Sequence, residues 1–506
     1  SKGEIVGVVA LGDQKNQVTL FGGSKADVIT ATAGETSIML KDVQRSQSDH
    51  LFNKLSAGNG TNDSIELSAS ADKTSHYALT QAKADEIKGF EQLKIHANST
   101  FELDNSDITL NESVPNGGIH LEDATGALFI NQSQATGKNI FNHNLYGKGV
   151  VKTDINGQEF AFDATKANLI GDKFTGKLQL ENAVFNLKNE NTKALTDATL
   201  SIGQKAQTIV EDGIGKQSIG GLVFDGGRLT FNDNIPNMDT IGQVADGSIH
   251  AKDLDFTNAK GTVDIHVDSI NNTPTFVTDK PILEQDIGES IVQLISADQV
   301  TGTLSGDLKL DIYDAKGVLV PQSGATITND IEQSGKKVAN GKYGYGLQSF
   351  KDVNSTAADG LYVSYKLTEI ELLTKGDDAL ILHAVAGKTG NSVDLAAKIT
   401  GSGDLRINTD SDYISLSNNT NNFTGTTIVT KGDLYLENDN VLGQLTEHSE
   451  SLNIGTGTTA NIFGKSNNLD GTSQIVGALN IVDKGELNLG AKGQLTVSGK
   501  SDSLIN

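Results

Sequence analysis

Apolar and polar residues alternate along most of the chain in short runs, and each run stops at a turn of Asp, Asn or Gly. The stretch "LNIVDKGELNLGAKGQLTVSGK" (479–500) shows the pattern at its simplest. Leu479 and Ile481, Leu487 and Leu489, and Leu495 and Val497 each stand two apart, with a Gly-bearing turn between pairs. A period of two puts those side chains on one face of a strand. The unit recurs at irregular spacing in "LQLENAVFNL" (178–187), "LVFDGGRLTF" (222–231), "IHAKDLDFTN" (249–258) and "LYLENDNVLG" (434–443).

Such strands are too short, and their turns too irregular, for a barrel whose register must close. Coiling the chain into a right-handed parallel β-helix solves the packing. Each coil takes roughly 20–25 residues, inward side chains stack, and neighbouring coils lie about 4.8 Å apart. A chain of 506 residues then makes on the order of 20 coils and a rod of about 100 Å. The three short strands of 479–500 are successive faces of coils. The expected class is all-β, a solenoid with a hairpin-rich insertion or arm.

Two regions depart from the pattern. Residues 1–98 are expected to hold an N-terminal cap and the first coils, with a short helical excursion in "QAKADEIKGFEQL" (81–93). Residues 99–280 continue the β-helix. In 281–370, "DLKLDIYDAKGVLVPQSGATITND" and "GKYGYGLQSFKDVNSTAADGLYVSYKL" read as hairpins, an insertion packed on the rod. The second carries four of the nine tyrosines, Tyr343, Tyr345, Tyr362 and Tyr365. Residues 371–506 return to β-helix, and no linker demands separate domains.

Composition supports a narrow core. Hydrophobic residues make up 36%, aromatics 5%, and Trp is absent, whereas there are 55 Gly. Val, Ile, Leu and Ala fill a thin solenoid but not a wide globule. Disorder is the alternative for so polar a chain, but disordered segments do not keep a strand period. The net charge of −24 repels nucleic acid and anionic lipid. Arginine occurs only at 45, 228 and 406, so bidentate phosphate recognition is not widespread, and nucleic acid is dropped as a partner. Cysteine is absent, which excludes thiol catalysis, iron–sulfur clusters and Cys-ligated zinc. It also suits an exported chain that must stay unfolded until it has crossed a membrane. The opening "SKGEIVGVVA" lacks a signal-peptide pattern, and no stretch approaches the ~20 apolar residues of a membrane span. The expectation is a mature segment, trimmed of targeting and anchoring parts.

Residues 421–443, "NNFTGTTIVTKGDLYLENDNVLG", resemble the passenger-associated repeat of bacterial autotransporters. Asn421, Phe423, Thr424, Gly425, Thr427, Val429, Gly432, Leu434, Leu436, Leu442 and Gly443 match the pattern N-x-[FY]-T-G-x-T-x-[IV]-x-x-G-x-L-x-[LV]-x-x-x-x-x-L-G. The preceding "AAKITGSGDLRINTDSDYISLSNNT" fits the "GSGxL" lead-in, and "GLYVSYKLTEIEL" is similar to a segment of the AIDA/antigen-43-like adhesins. The resemblance is specific over about 360–500 and weaker upstream. It implies a secreted β-helical passenger, displayed at the Gram-negative cell surface through a C-terminal outer-membrane β-barrel absent from this chain. Export through the periplasm is implied, with release from the cell as a further outcome. The resemblance bears more on fold than on function, since some family passengers are proteases or esterases.

No residues stand out as catalytic or metal-ligating, and no cofactor is implied. The family's protease signature "GDSG" has no match, and the nine histidines are scattered. β-Helices also host polysaccharide lyases and hydrolases that use paired carboxylates, but carboxylates are everywhere here, so pairing says little. "GGSKADVIT" (22–30) and "GNGTNDSIE" (58–66) are similar to calcium nonapeptides. Lys25 would oppose a cation, and Asn59 and Thr61 stand at glycine positions, so turns are the better reading.

More telling is an acidic or amide group directly after a strand: Glu122 and Asp123, Glu181 and Asn182, Asp225, then Lys252 and Asp253. On equivalent faces of nearby coils these would form a polar ladder able to take hydrogen bonds from sugar hydroxyls. A row of solvated turns is the plainer reading. The expected function is a non-enzymatic adhesin binding host glycans or a matrix glycoprotein. The alternatives are self-association with the same protein on neighbouring cells, giving aggregation and biofilm, and a polysaccharide-degrading enzyme.

Overall fold

A computed structural model describes residues 3–163, 165–166, 173–235, 243–267, 282–285, 290–313, 317–319, 326–350, 359–384, 387, 389, 393–465, 470–499 and 504–505. The fold is all-β, and most of its strands pair in parallel with strands from elsewhere in the chain. Near the N-terminus the chain visits three ladders in rotation. Glu4–Leu11, Lys25–Ala31, Phe52–Ser56 and Ile87–Lys88 form one; Asn16–Phe21, Thr36–Lys41, Ser64–Ser68, Gln92–Ile95, Gly118–Leu121 and Leu145–Gly147 form the second. The third starts at Ser75–Thr80 and continues through Ser99–Asp104, Ala127–Asn131, Val150–Phe162, Lys177–Asn186, Thr199–Gly203, Gly215–Ile235 and Gln243–Val267 to Ser290–Thr301.

Register stacks like on like. Ile38, Ile65, Leu93, Ile119 and Leu145 occupy one column and are fully buried. Leu178, Leu200, Leu222, Leu254 and Val300 form another, of which Val300 alone keeps slight exposure. Each such side chain contributes about 1.5–3 kcal/mol by leaving water. Leu200→Ala, which opens a cavity in the middle of a column, costs about 2–5 kcal/mol. Where more width must be filled, aromatics stack instead: Tyr77 lies 6.0 Å from Phe52 and 5.3 Å from Phe101.

The helix expected over 81–93 shrinks to Gln81–Ala84. Ile87, Phe90, Leu93 and Ile95 are drawn into the core, so Ile87–Lys88 and Gln92–Ile95 become strands. Of the two hairpins expected in 281–370, the second is present, with Lys336–Phe350 antiparallel to Gly360–Leu372, but in the first Thr326–Gln333 takes Lys336–Phe350 as its antiparallel partner rather than Leu308–Tyr313. They lie in line with the third ladder, hydrogen-bonded to its edge strand Ser290–Thr301, and Gly360–Leu372 passes on to a parallel partner, Lys398–Gly401. Leu308–Tyr313 pairs in parallel with Gln243–Val267. The Tyr343 and Tyr362 rings are buried. Parts of the expected hairpins, 314–316, 320–325 and 351–358, and the Tyr365 side chain lie outside the described residues.

A further sheet holds the C-terminal part, with Leu405–Leu416, Thr427–Leu436, Ser451–Ile454 and Ala478–Ile481 in parallel succession. The three strands of 479–500 join three different partners: Ser451–Ile454, Thr459–Ile462 and Ser473–Val476. The matched repeat residues have structural work. Asn421 is buried; its Oδ1 accepts from Ile399 N–H (2.7 Å) and its Nδ2 donates to Val441 C=O (2.8 Å). Gly425 packs on the Gly403 backbone, leaving no room for a Cβ. Phe423, Val429, Leu434, Leu436 and Leu442 are fully buried.

Candidate functional site

On the third ladder the outward side chains form columns, because the register is kept from strand to strand. One column is a row of Asp and Asn: Asp104 faces Asn131, Asn131 faces Asp154, and Asp154 faces Asn182. All four are half-buried. At about 4.8 Å per strand the row runs some 14 Å. Asn182 Nδ2 donates to Asp154 Oδ1 at 3.0 Å, and Asn131 Nδ2 to Glu102 Oε1 at 2.7 Å. The neighbouring column places Glu102, Phe129, Lys152 and Gln179 side by side. Phe129 is half-buried on this outward face, giving an apolar platform beside the polar row.

One end of the row is clamped. Glu102, almost fully buried, accepts from Arg45 Nε (2.6 Å), His76 Nε2 (2.8 Å) and Asn131, while the Arg45 guanidinium also reaches Asp104 (2.8 Å). Burial opposes its charge, yet the hydrogen bonds from His76, Arg45 and Asn131 hold its carboxyl well below the usual range. Glu102 is therefore an anchor for the face. Asp154, Asn131 Oδ1 and Asn182 Oδ1 remain as acceptors toward solvent, and Lys152 makes no ion pair among the described residues.

The residues singled out from sequence are only partly brought together. Asn182 belongs to the row. Glu181 is the extra residue where the register slips by one, and it accepts from Gln179 Nε2 (2.5 Å). Asp225 lies two strands further along, opposite Gly203, and is paired with Lys260 (3.1 Å). Asp253 faces Gly221, four residues before Asp225 in that strand, and accepts from Thr301 Oγ1 (3.1 Å). Lys252 is exposed and bridged to Asp197. Glu122 and Asp123 follow Gly118–Leu121 in the second ladder, at the corner before the third; Asp123 holds the Thr125 turn (2.9 Å). Glu122, Glu181, Asp225 and Asp253 thus do not share one line. Asp104, Asn131 and Asp154 were missed, although "FELD", "LFIN" and "VKTD" carry the same signal as "QLEN", an Asp or Asn closing an alternating run.

One Ser–His–Asp grouping exists outside this face. His250 Nδ1 lies 3.0 Å from Ser296 Oγ, and its Nε2 lies 3.4 Å from Asp298, at a cleft of about 620 Å³. The geometry suits a surface polar cluster better than a nucleophile. Ser296 sits in a regular ladder opposite Gly360, and the next N–H, of Ala297, is committed to Asp359 C=O (2.9 Å). That N–H is therefore not available to an oxyanion beside Ser296. Among the described residues no group of three or more His, Asp or Glu is placed to hold a metal ion, the turns at 22–30 and 58–66 included. No described helix is long and apolar enough to cross a membrane.

No protein-family model matches the chain, and no solved structure matches it significantly. It is 34% identical over 361 residues to the uncharacterized protein YuaQ of Escherichia coli (strain K12), a match covering 71% of this chain and 24% of that protein. It is 32% identical over 377 residues to the uncharacterized lipoprotein YdeK of the same organism, covering 70% of this chain and 26% of that one. The chain spans about a quarter of the length of the curated relatives it matches.

Proposed function

We propose that this chain is the ligand-binding part of a bacterial surface adhesin of the autotransporter type, folded as a right-handed parallel β-helix. Strands that return in parallel to the same ladder favour the right-handed path, since parallel crossovers are right-handed in nearly all cases. The motif at 421–443 and the buried role of Asn421 support the family reading. An envelope location is supported by one relative, YdeK, being named a lipoprotein.

The observation that carries the binding reading is the Asp104–Asn131–Asp154–Asn182 row beside Phe129. The half-buried amides and carboxylates at strand spacing offer a row of acceptors, with Lys152 as a donor in the neighbouring column, and Phe129 adds an apolar contact. That chemistry suits an extended polar ligand, a glycan chain or a glycosylated matrix protein of the host. A second copy of the chain is the weaker candidate, because two surfaces from chains of net charge −24 repel.

Immobilised matrix glycoproteins and epithelial glycans, probed with the purified chain, test this. Replacing Asn131, Asp154 and Asn182 by Ala together with Phe129→Ser should abolish most binding. The fold should persist by circular dichroism, with the thermal transition lowered by the loss of half-buried Phe129 and of the Asn131 hydrogen bond to Glu102. If the fourfold variant binds like the parent, the row is not the binding face.

A further inference from the structure

We propose that a groove on the C-terminal sheet is a separate binding site for a neutral oligosaccharide. The proposal deepens the ligand-binding reading above and rests on it for its biological setting, but its geometry is independent of the Asp/Asn row. The groove has a volume of about 830 Å³ and runs across the strand ends at Tyr413–Ser417 and Glu437–Asp439 and the segment about Lys465. That volume falls within the range of small-ligand sites, about 300–1,000 Å³.

Its floor carries pre-positioned carboxylates. Asp394 Oδ1 and Oδ2 accept from Ser415 Oγ (2.7 Å) and Ser417 Oγ (2.6 Å). Glu437 Oε1 accepts from Lys465 N–H (2.9 Å), and Asp439 Oδ1 from Ser473 N–H (2.7 Å). Both oxygens of Asp394 and one each of Glu437 and Asp439 are thereby fixed, and Glu437 Oε2 and Asp439 Oδ2 have no hydrogen bond among the described residues. One wall carries Tyr413, backed edge to face by buried Tyr435 at 5.4 Å, with Phe463 behind that ring at 5.8 Å. The Lys465 ammonium lies 4.6 Å from both tyrosine centroids and donates to Tyr435 Oη at 3.1 Å.

This mixture selects against charge of either sign. A sulfated or uronic-acid glycan would meet Glu437, Asp439 and Asp394. A basic peptide would find the aromatic position already held by Lys465. A neutral polyol meets neither penalty: its hydroxyls donate to the fixed carboxylates and accept from Lys465, and its C–H groups pack beside Tyr413.

Saturation-transfer NMR and calorimetry on the full chain test this, using neutral manno-, gluco- and N-acetylglucosamine oligosaccharides beside heparin and polygalacturonate fragments. At least one neutral oligosaccharide should bind, and the anionic ones should not. Glu437→Gln and Asp439→Asn, which keep shape, should each weaken binding about tenfold, the loss of a charge-assisted hydrogen bond. Tyr413→Leu should weaken it similarly while circular dichroism stays unchanged. The Asp/Asn-row variant should bind the oligosaccharide like the parent. Absence of binding to every neutral oligosaccharide, stronger binding of the anionic ones, or unaltered affinity in both carboxamide variants overturns the groove assignment. None of these touches the row, whose failure shows separately as unchanged matrix binding by its own fourfold variant.

Discussion

Single buried charges set how this protein responds to pH. His143 is nearly buried, with Nδ1 2.6 Å from Glu112 and Nε2 2.9 Å from Asp107. Burial alone would lower its pKa, but the hydrogen bonds and charges of Asp107 and Glu112 raise it to about 9. Asp63 and Glu91 are buried at the same corner of successive turns of chain, with Asp63 N–H donating to Glu91 (2.7 Å), and burial pushes both carboxyls up. Groups held above their unfolded pKa bind protons more tightly in the fold. Their stabilising contributions are present at low pH and are lost as pH rises through the folded value. Glu66 runs the other way: its hydrogen bond with His96 lowers it to about 2, so its contribution is lost only in strong acid. Hydrogen exchange of the segment 60–145 should therefore slow on going from pH 9 to pH 6.5, after correction for intrinsic rates. His143→Gln should remove that gain. A gain of the same size in the variant would show that His143 is not its source.

At the scale of one strand and its turn, Asn421 is the residue on which most depends. Replacing it with Ala leaves the Ile399 N–H and the Val441 C=O buried without partners, at a cost of about 2–4 kcal/mol. Exposed Asn419, two residues away, should tolerate Ala within about 0.5 kcal/mol. Chemical denaturation of both variants, read by exchange in 398–441, checks the contrast; equal effects would contradict the capping role. Strands were legible in the sequence because their period is local: "LQLENAVFN" alternates, and Leu178, Leu180, Ala183 and Phe185 are buried. Asn421 and Gly425, which the motif at 421–443 singled out, each sit where the backbone requires that residue type. Register was not legible. The row members stand 27, 23 and 28 residues apart (104, 131, 154, 182), so turn lengths vary and no fixed period links them. Glu122 and Asp253 follow the same local pattern as Asn182, yet a different ladder and a four-residue offset separate them from the row. The short helix failed for a related reason, since tertiary demand for Ile87 and Leu93 in the core overrode local propensity.

For the whole molecule, one claim underlies the rest: the parallel ladders continue as a single stacked rod. Display of a long surface to a ligand depends on it. Small-angle X-ray scattering at moderate salt, where repulsion between acidic chains is screened, measures it directly. A rod of about 20 turns at about 4.8 Å has a radius of gyration near 30 Å and a skewed distance distribution reaching about 100 Å. A compact globule of 506 residues would give about 23 Å and a symmetric distribution. The account predicts the first result, and the second would contradict it.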